Sequence, residues 1–556
     1  MRRLALVLAL FAVAGVSCVG GGRIGGGSIG TGGGGNGGGE SNPAVAPGAQ
    51  AMPALPAAHG GSTIPEAWIF GKDTYQRSAG AVEQDTALRL EPTGPAGYEW
   101  AMYRINLAHT MGSLRVRLAA PEGGAYVGLS NYARGGWEFN GPYSGDAVIL
   151  PYDGKCYEAT TGQVYCLVVA AGKTVTVKQV VAKTVFGEPV VVSGKYDEQF
   201  GATALAVVSG FPAICYDVRE PWPALEYVRA LDPAGLTWAE PVEVYHWPGS
   251  GGVYPGASLL TLAEVDGKPA IGADVDLDYL EYFRALDSLG STWDEPTVID
   301  TASQGLYFPS TALADDRPAF SYVVCLPSPS IDLELRFVVA LDANGITWDA
   351  PVTLEHESYL SIFASLAVVN GRPAVSCSTS LYGWNDSWYD CLVYRQAGDP
   401  SGASWFGQYQ VPDKSMYGKC SGLVSSLGVI SGNPAIAYYG GSDSPGLYYV
   451  RSLDSEGSAW GAPVAVDPDP NLGVGISLAM VGGNPAIIYY TSRYVGDQDI
   501  VSWRYVRALD ATGDTWDTPV AVNGGADGAD RALVEVNGKA AVTYVRNKAV
   551  YYLRSF

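Results

Sequence analysis

Ala230-Leu231-Asp232-Pro233-Ala234-Gly235-Leu236-Thr237-Trp238 is the phrase that decides the fold. It returns as ALDSLGSTW at 285–293, ALDANGITW at 340–348 and ALDATGDTW at 508–516. Looser copies, DPSGASW and DSEGSAW, end at Trp405 and Trp460. The Trp-to-Trp steps are 55, 55, 57, 55 and 56 residues. A fixed period of this length marks a repeat architecture, in which one supersecondary unit is copied along the chain.

The unit reads most clearly in its fifth copy. Ser425–Ile430 is followed by the turn Ser431-Gly432, then Pro434–Tyr439, then Leu447–Arg451, the Asp–Gly–Trp phrase, and Gly461–Val466. These are four short strands, a to d. The a–b turn recurs as Asp266-Gly267, Asn370-Gly371 and Asn537-Gly538, dipeptides that supply the positive φ of a tight hairpin. The Pro that follows several of these turns falls at the start of strand b, where a missing N–H is tolerated. Four antiparallel strands per repeat predict a β-propeller. Seven a-b-c sets are present, but only six d strands follow a Trp. Phe186–Val192 carries the missing d pattern ahead of the first set. The expectation is an all-β chain with seven blades over 182–556, closed by a strand at 186–192.

The D-x-x-G-x-T-W phrase between strands c and d resembles the Asp-box, or BNR, repeat of sialidase-like propellers. It departs from the usual spacing by one residue between Asp and Gly, and Ala stands where Ser is usual. The resemblance implies a structural turn in which Asp accepts backbone N–H bonds and Trp packs between strands. The residues that take this role are Asp232, Asp287, Asp342, Asp454 and Asp510, with Trp238, Trp293, Trp348, Trp460 and Trp516. A sialidase also needs a convergent Arg triad, a Tyr–Glu nucleophile pair and an acid. The recurring Arg229, Arg284, Arg451, Arg507 and Arg554 lie beside the Asp turn, away from a propeller's active face, so they read as structural partners. No catalytic set is recognisable.

Ahead of the repeats, Arg2, Arg3 and the apolar run Leu4–Ala14 resemble an export signal. Gly15-Val16-Ser17-Cys18 resembles a lipobox, which makes 1–18 a signal peptide and Cys18 a lipidation site. Residues 19–62 form a Gly-rich, then Pro/Ala-rich linker. Residues 63–181 alternate with period two and predict a β-sandwich-like domain. There Trp137 or Tyr132 is a candidate sugar platform or a buried structural aromatic. The chain of 556 residues carries a net charge of −22, which argues against nucleic-acid binding. No His pair has zinc-ligand spacing, and contact with a membrane is expected only through a lipid anchor.

If the c–d turns occupy one propeller face, the d–a and b–c loops occupy the other. Those loops carry Trp222, Trp247, Tyr307, Tyr382, Trp384 and Trp388 as candidate binding residues. Exposed aromatics beside polar groups suit a glycan or an extracellular protein partner. Asp274-Val275-Asp276-Leu277-Asp278 offers alternating carboxylates to Ca²⁺. Cys156 with Cys166, and Cys377 with Cys391, are candidate disulfides. The leading expectation is a non-enzymatic, exported, cell-surface binding or adhesion protein. The alternative is a carbohydrate-active enzyme, a sialidase-like glycoside hydrolase or lyase, using paired carboxylates such as Asp217 and Asp274 on the same face. A scaffold role is the third.

Overall fold

The computed structural model describes residues 52–56 and most of 66–556; the segments left out include 151–162, 194–198, 248–256, 358–362, 383–387, 412–423 and 523–531. Among the described residues the fold is all-β. The chain divides into two compact units, 189–518 with 525–556, and 20–188 with 519–524.

The larger unit is a succession of four-stranded antiparallel sheets. The first spans 199–246, the second 257–301, the third 306–357, the fourth 365–410, the fifth 425–467 and the sixth 472–522. The seventh combines the last three strands, 533–554, with Val190–Ser193, which pairs antiparallel with Ala549–Arg554. The first strand of each sheet contacts the first strand of the next, and Gln199–Val208 contacts Leu533–Val536. Strand b of each sheet is almost wholly buried, as in Pro434–Tyr439. Both of its faces are covered by neighbouring sheets, so apolar residues stand at successive positions instead of alternating.

Turn chemistry dictates these hairpins. Asp266, Asn370, Ser431 and Asn537 all have φ near +50°, each followed by Gly at positive φ. Ser209-Gly210, Asp315-Asp316 and Gly482-Gly483 do the same in the remaining sheets.

The Asp phrase closes the c–d connection. Asp342 accepts N–H bonds from Asn344 (3.0 Å), Ile346 (3.1 Å) and Thr347 (2.8 Å), and the Thr347 hydroxyl (2.7 Å). Desolvation raises its carboxyl pKa, but these bonds outweigh it and bring the value down to about 2. Asp232, Asp287, Asp454 and Asp510 accept bonds in the same pattern. Asp399, which the looser fourth copy conceals, joins them.

Each Trp of these turns donates its indole N–H to the turn Gly carbonyl and sets its ring against an aromatic of the preceding sheet. Trp293 meets Tyr227 at 5.3 Å, Trp348 meets Tyr282 at 5.2 Å and Trp516 meets Tyr449 at 5.1 Å. Trp238 of the first sheet meets Tyr552 of the seventh at 5.2 Å in the same way. Gly235 has φ +76°, and a Cβ there would lie 2.6 Å from the Tyr552 ring. Both facts require glycine. The recurring arginines anchor the same end: Arg451 and Arg507 donate to the carbonyls of Ile430 and Val481 (both 2.9 Å).

In the smaller unit, a six-stranded and a five-stranded antiparallel sheet enclose one apolar core that includes Tyr103, Val116, Cys166 and Val168. Cys166 is a free, buried thiol, and burial pushes its pKa well up; Cys156 lies outside the described residues.

Candidate functional site

Three of the seams between successive sheets join an acid of strand d to an arginine of the next strand c, and the seam between the first and second sheets departs from them. The seventh residue after each phrase Trp lies near the end of strand d. The sixth residue before each phrase Asp lies in strand c of the next sheet. Between the second and third sheets these positions hold Asp300 and Arg336, joined at 2.9 Å. Arg336 also bonds Glu334 at 2.7 Å, and the Tyr322 hydroxyl donates to Asp300 at 2.6 Å. Between the fifth and sixth sheets the same positions hold Asp467 and Arg504, joined at 2.9 Å, and Tyr489 donates to Asp467 at 2.5 Å. Asp469 binds the same guanidinium at 2.7 Å. Between the third and fourth sheets, Glu355 pairs at 2.5 Å with Arg395, two residues further along strand c. Each of these acids is screened from water and neutralised by an arginine, the arrangement that a buried carboxylate requires.

Between the first and second sheets the corresponding residues are Tyr245 and Glu281. The carboxyl of Glu281 is half-buried on strand Tyr279–Arg284, and its Oε2 has no hydrogen-bond partner among the described residues. Burial raises its pKa above the ordinary carboxylic value, and the negative charge of Asp276 raises it further. Tyr245 is half-buried, and its hydroxyl pKa is raised by burial, then by Glu281 and Glu295. The Tyr245 ring lies 5.7 Å from Phe283 and 6.1 Å, edge-on, from Trp247. The buried Trp247 indole N–H also lacks an acceptor among the described residues. This seam therefore holds an acid biased towards its protonated form, a nearby carboxylate, two aromatic rings and an uncommitted donor.

Several residues singled out in the sequence lie elsewhere or serve other ends. Trp247 is at this seam but is only 3% exposed, so it is no open platform. Tyr307 is 4% exposed and packs in the core between the third and fourth sheets. Burial, with Cys325, Asp274 and Asp278 nearby, pushes its pKa up to about 12. Both corrections have one cause: ends of strands near the loops are still inside the seams. Trp222 and Trp384 lie outside the described residues; Tyr382 and Trp388 are register partners across strands b and c of the fourth sheet.

The alternating carboxylates offered to Ca²⁺ fall in unlike settings. Asp274 is buried and accepts the Leu259 N–H at 2.6 Å, whereas Asp276 is exposed in a turn at φ +55°. Among the described residues no group of His, Cys, Asp or Glu gathers to hold a metal. Cys377 and Cys391 are buried and not joined to each other. Cys377 opposes Val393 and Cys391 opposes Thr379, so the register sets them diagonally and leaves the disulfide unmade. Cys18 lies outside the described residues.

Glu281 lies within strand c and carries no signal of its own in the sequence, whereas Tyr245 stands out there only as one more aromatic near a loop. The signal lies between repeats: Tyr245 and Glu281 stand at the positions that hold Asp300 and Arg336, or Asp467 and Arg504, at two other seams.

No protein-family model matches the chain, and no curated protein matches it. Among solved structures, an α-L-arabinanase from Penicillium chrysogenum is similar at 11% identity and a TM-score of 0.35, over 61% of this chain and 99% of its own. The NanB sialidase from Streptococcus pneumoniae is similar at 13% identity and 0.34, over 81% and 95%. A family-32 glycoside hydrolase from Bifidobacterium adolescentis is similar at 9% identity and 0.31, over 82% and 97%. These three carry the names of enzymes, a finding that runs against the expectation of a non-enzymatic binding protein.

Proposed function

We propose that the chain is a carbohydrate-active hydrolase and that the seam between its first and second sheets is the reacting site. The observation that carries this reading is Glu281, a half-buried carboxyl without a cation beside a second carboxylate, Asp276. Glycosidic hydrolysis uses such an unlike pair, one carboxyl held protonated to give its proton to the leaving oxygen and one ionised. Glu281 takes the acid role and Asp276 the carboxylate role. Tyr245 offers a ring and a hydroxyl to a sugar, and the Trp247 N–H offers a donor. The finer architecture belongs to the same proposal: a seven-bladed propeller whose last blade borrows Val190–Ser193, preceded by a β-sandwich.

The test is turnover by the full chain on a panel of aryl glycosides, including arabinosides, xylosides and sialosides, and on plant and host polysaccharides. Glu281→Gln and Asp276→Asn are assayed beside it. Positioned acid–base groups contribute about 10²–10⁴-fold, so each variant should lose that much in kcat/KM. Absence of turnover on every substrate, or full activity in both variants, overturns the reading.

A further inference from the structure

The five-stranded sheet of the smaller unit has an aromatic outer face, and the chain's own Pro-rich segment lies on it. Met102, Tyr165, Leu167 and Val169 form the buried floor, with Trp100 and Tyr126 among the half-buried residues packed against it. Met52 packs on the same cluster. The segment continues as Met52-Pro53-Ala54-Leu55-Pro56. The Trp137 indole N–H donates to the Pro53 carbonyl at 2.7 Å, and the Tyr132 hydroxyl donates to the Pro56 carbonyl at 3.0 Å. Pro53 and Pro56 are half-buried while Ala54 is exposed.

The spacing explains the fit. A polyproline II helix has three residues per turn, so carbonyls at positions i and i+3 point the same way. Both donors sit where two such carbonyls present themselves on one side. Proline carbonyls are good acceptors, and proline spends little conformational entropy on being held extended. Aromatic grooves that read P-x-x-P segments work on this principle.

We propose that this face is a recognition site for an extended, proline-containing peptide of the form M-P-x-x-P, and that residues 52–56 are its occupant in cis. Trp137 and Tyr132, candidates for a sugar platform in the sequence, are its two anchoring donors. The proposal is independent of the catalytic reading, since every residue involved belongs to the smaller unit.

The test is peptide binding by the full chain. A fluorescein-labelled peptide of residues 49–58 is titrated against the wild type and against a Pro53→Ala/Pro56→Ala variant. A tethered ligand competes at an effective concentration of about millimolar. The released variant should therefore bind the free peptide at least about tenfold more tightly than the wild type. Adding Trp137→Phe/Tyr132→Phe to the released variant should weaken binding by a similar factor. Equal binding by released variant and wild type, or binding indifferent to the two donors, overturns the proposal. A second readout needs no free peptide. Trp137→Phe/Tyr132→Phe alone should speed proteolytic cleavage within 49–62 several-fold while the unfolding midpoint of the chain holds. Cleavage at the wild-type rate overturns the proposal equally.

Discussion

The fifth and sixth sheets meet through Asp467, Arg504 and Tyr489; the first and second meet through Tyr245 and Glu281. The positions are equivalent and the backbones follow one plan, yet the first set is closed on itself and the second is not. Asp467 has a guanidinium at 2.9 Å and a tyrosine hydroxyl at 2.5 Å. Glu281 has neither, and its pKa is raised by burial and by Asp276. A repeated fold can thus pair the acid at one seam and leave the acid at another without a cation, by exchanging two side chains.

The largest expected difference between the seams is in activity. Glu281→Gln should lower kcat/KM by about 10²–10⁴-fold, while Arg504→Met should leave the turnover of folded protein close to the wild-type value. Equal loss in both variants erases the distinction between reactive and cohesive seams. In stability the order reverses. Arg504→Met strands a buried Asp467 and should cost about 3–5 kcal/mol in denaturant unfolding, whereas Glu281→Gln removes an unpaired acid and should cost little. A swap, Tyr245→Asp with Glu281→Arg, sharpens the contrast: it should give a folded, inactive chain.

The Asp turns give a smaller effect that ought to be alike in every sheet. Asp342→Ala removes the acceptor of four hydrogen bonds at a mostly exposed turn, and should cost about 1–2 kcal/mol, as loss of a helix cap does. Thermal unfolding that is unchanged in this variant would show that the turn holds without its carboxylate.

The smallest effect is in pH dependence. The Glu281 pKa is raised in the folded chain above its ordinary 4.5. Its favourable contribution is complete below that value and fades as pH rises through the folded pKa. Glu281→Gln cannot ionise, so its stability relative to the wild type should increase from acid towards neutral pH. A difference that stays flat across that range contradicts the raised pKa.

Much of the strand pattern was legible in the sequence because it is local. Asn370-Gly371 and Asn537-Gly538 fix hairpins through backbone conformation alone. Asp232 and Thr237 lie five residues apart, and the bonds between them need no distant partner. The candidate site was not legible in the same way. Tyr245 and Glu281 stand 36 positions apart in different repeats, and neither is unusual in its own strand. Trp247 and Tyr307 were legible as aromatic residues near loops but not as buried ones, because burial depends on the sheet that covers them. Cys377 and Cys391 were close enough in sequence to suggest a bond, and a register displacement of two residues decided against it.

By itself, then, the sequence determined the period of the repeat, the turns that bound each strand and the all-β character of the chain. These follow from φ preference, short-range hydrogen bonding and hydrophobic pattern. Tertiary structure alone decided which acids meet an arginine, which aromatics are covered, and that the Trp137 and Tyr132 donors meet Pro53 and Pro56. Those outcomes depend on desolvation and on charges brought together from separate repeats, and no single stretch of chain contains both partners.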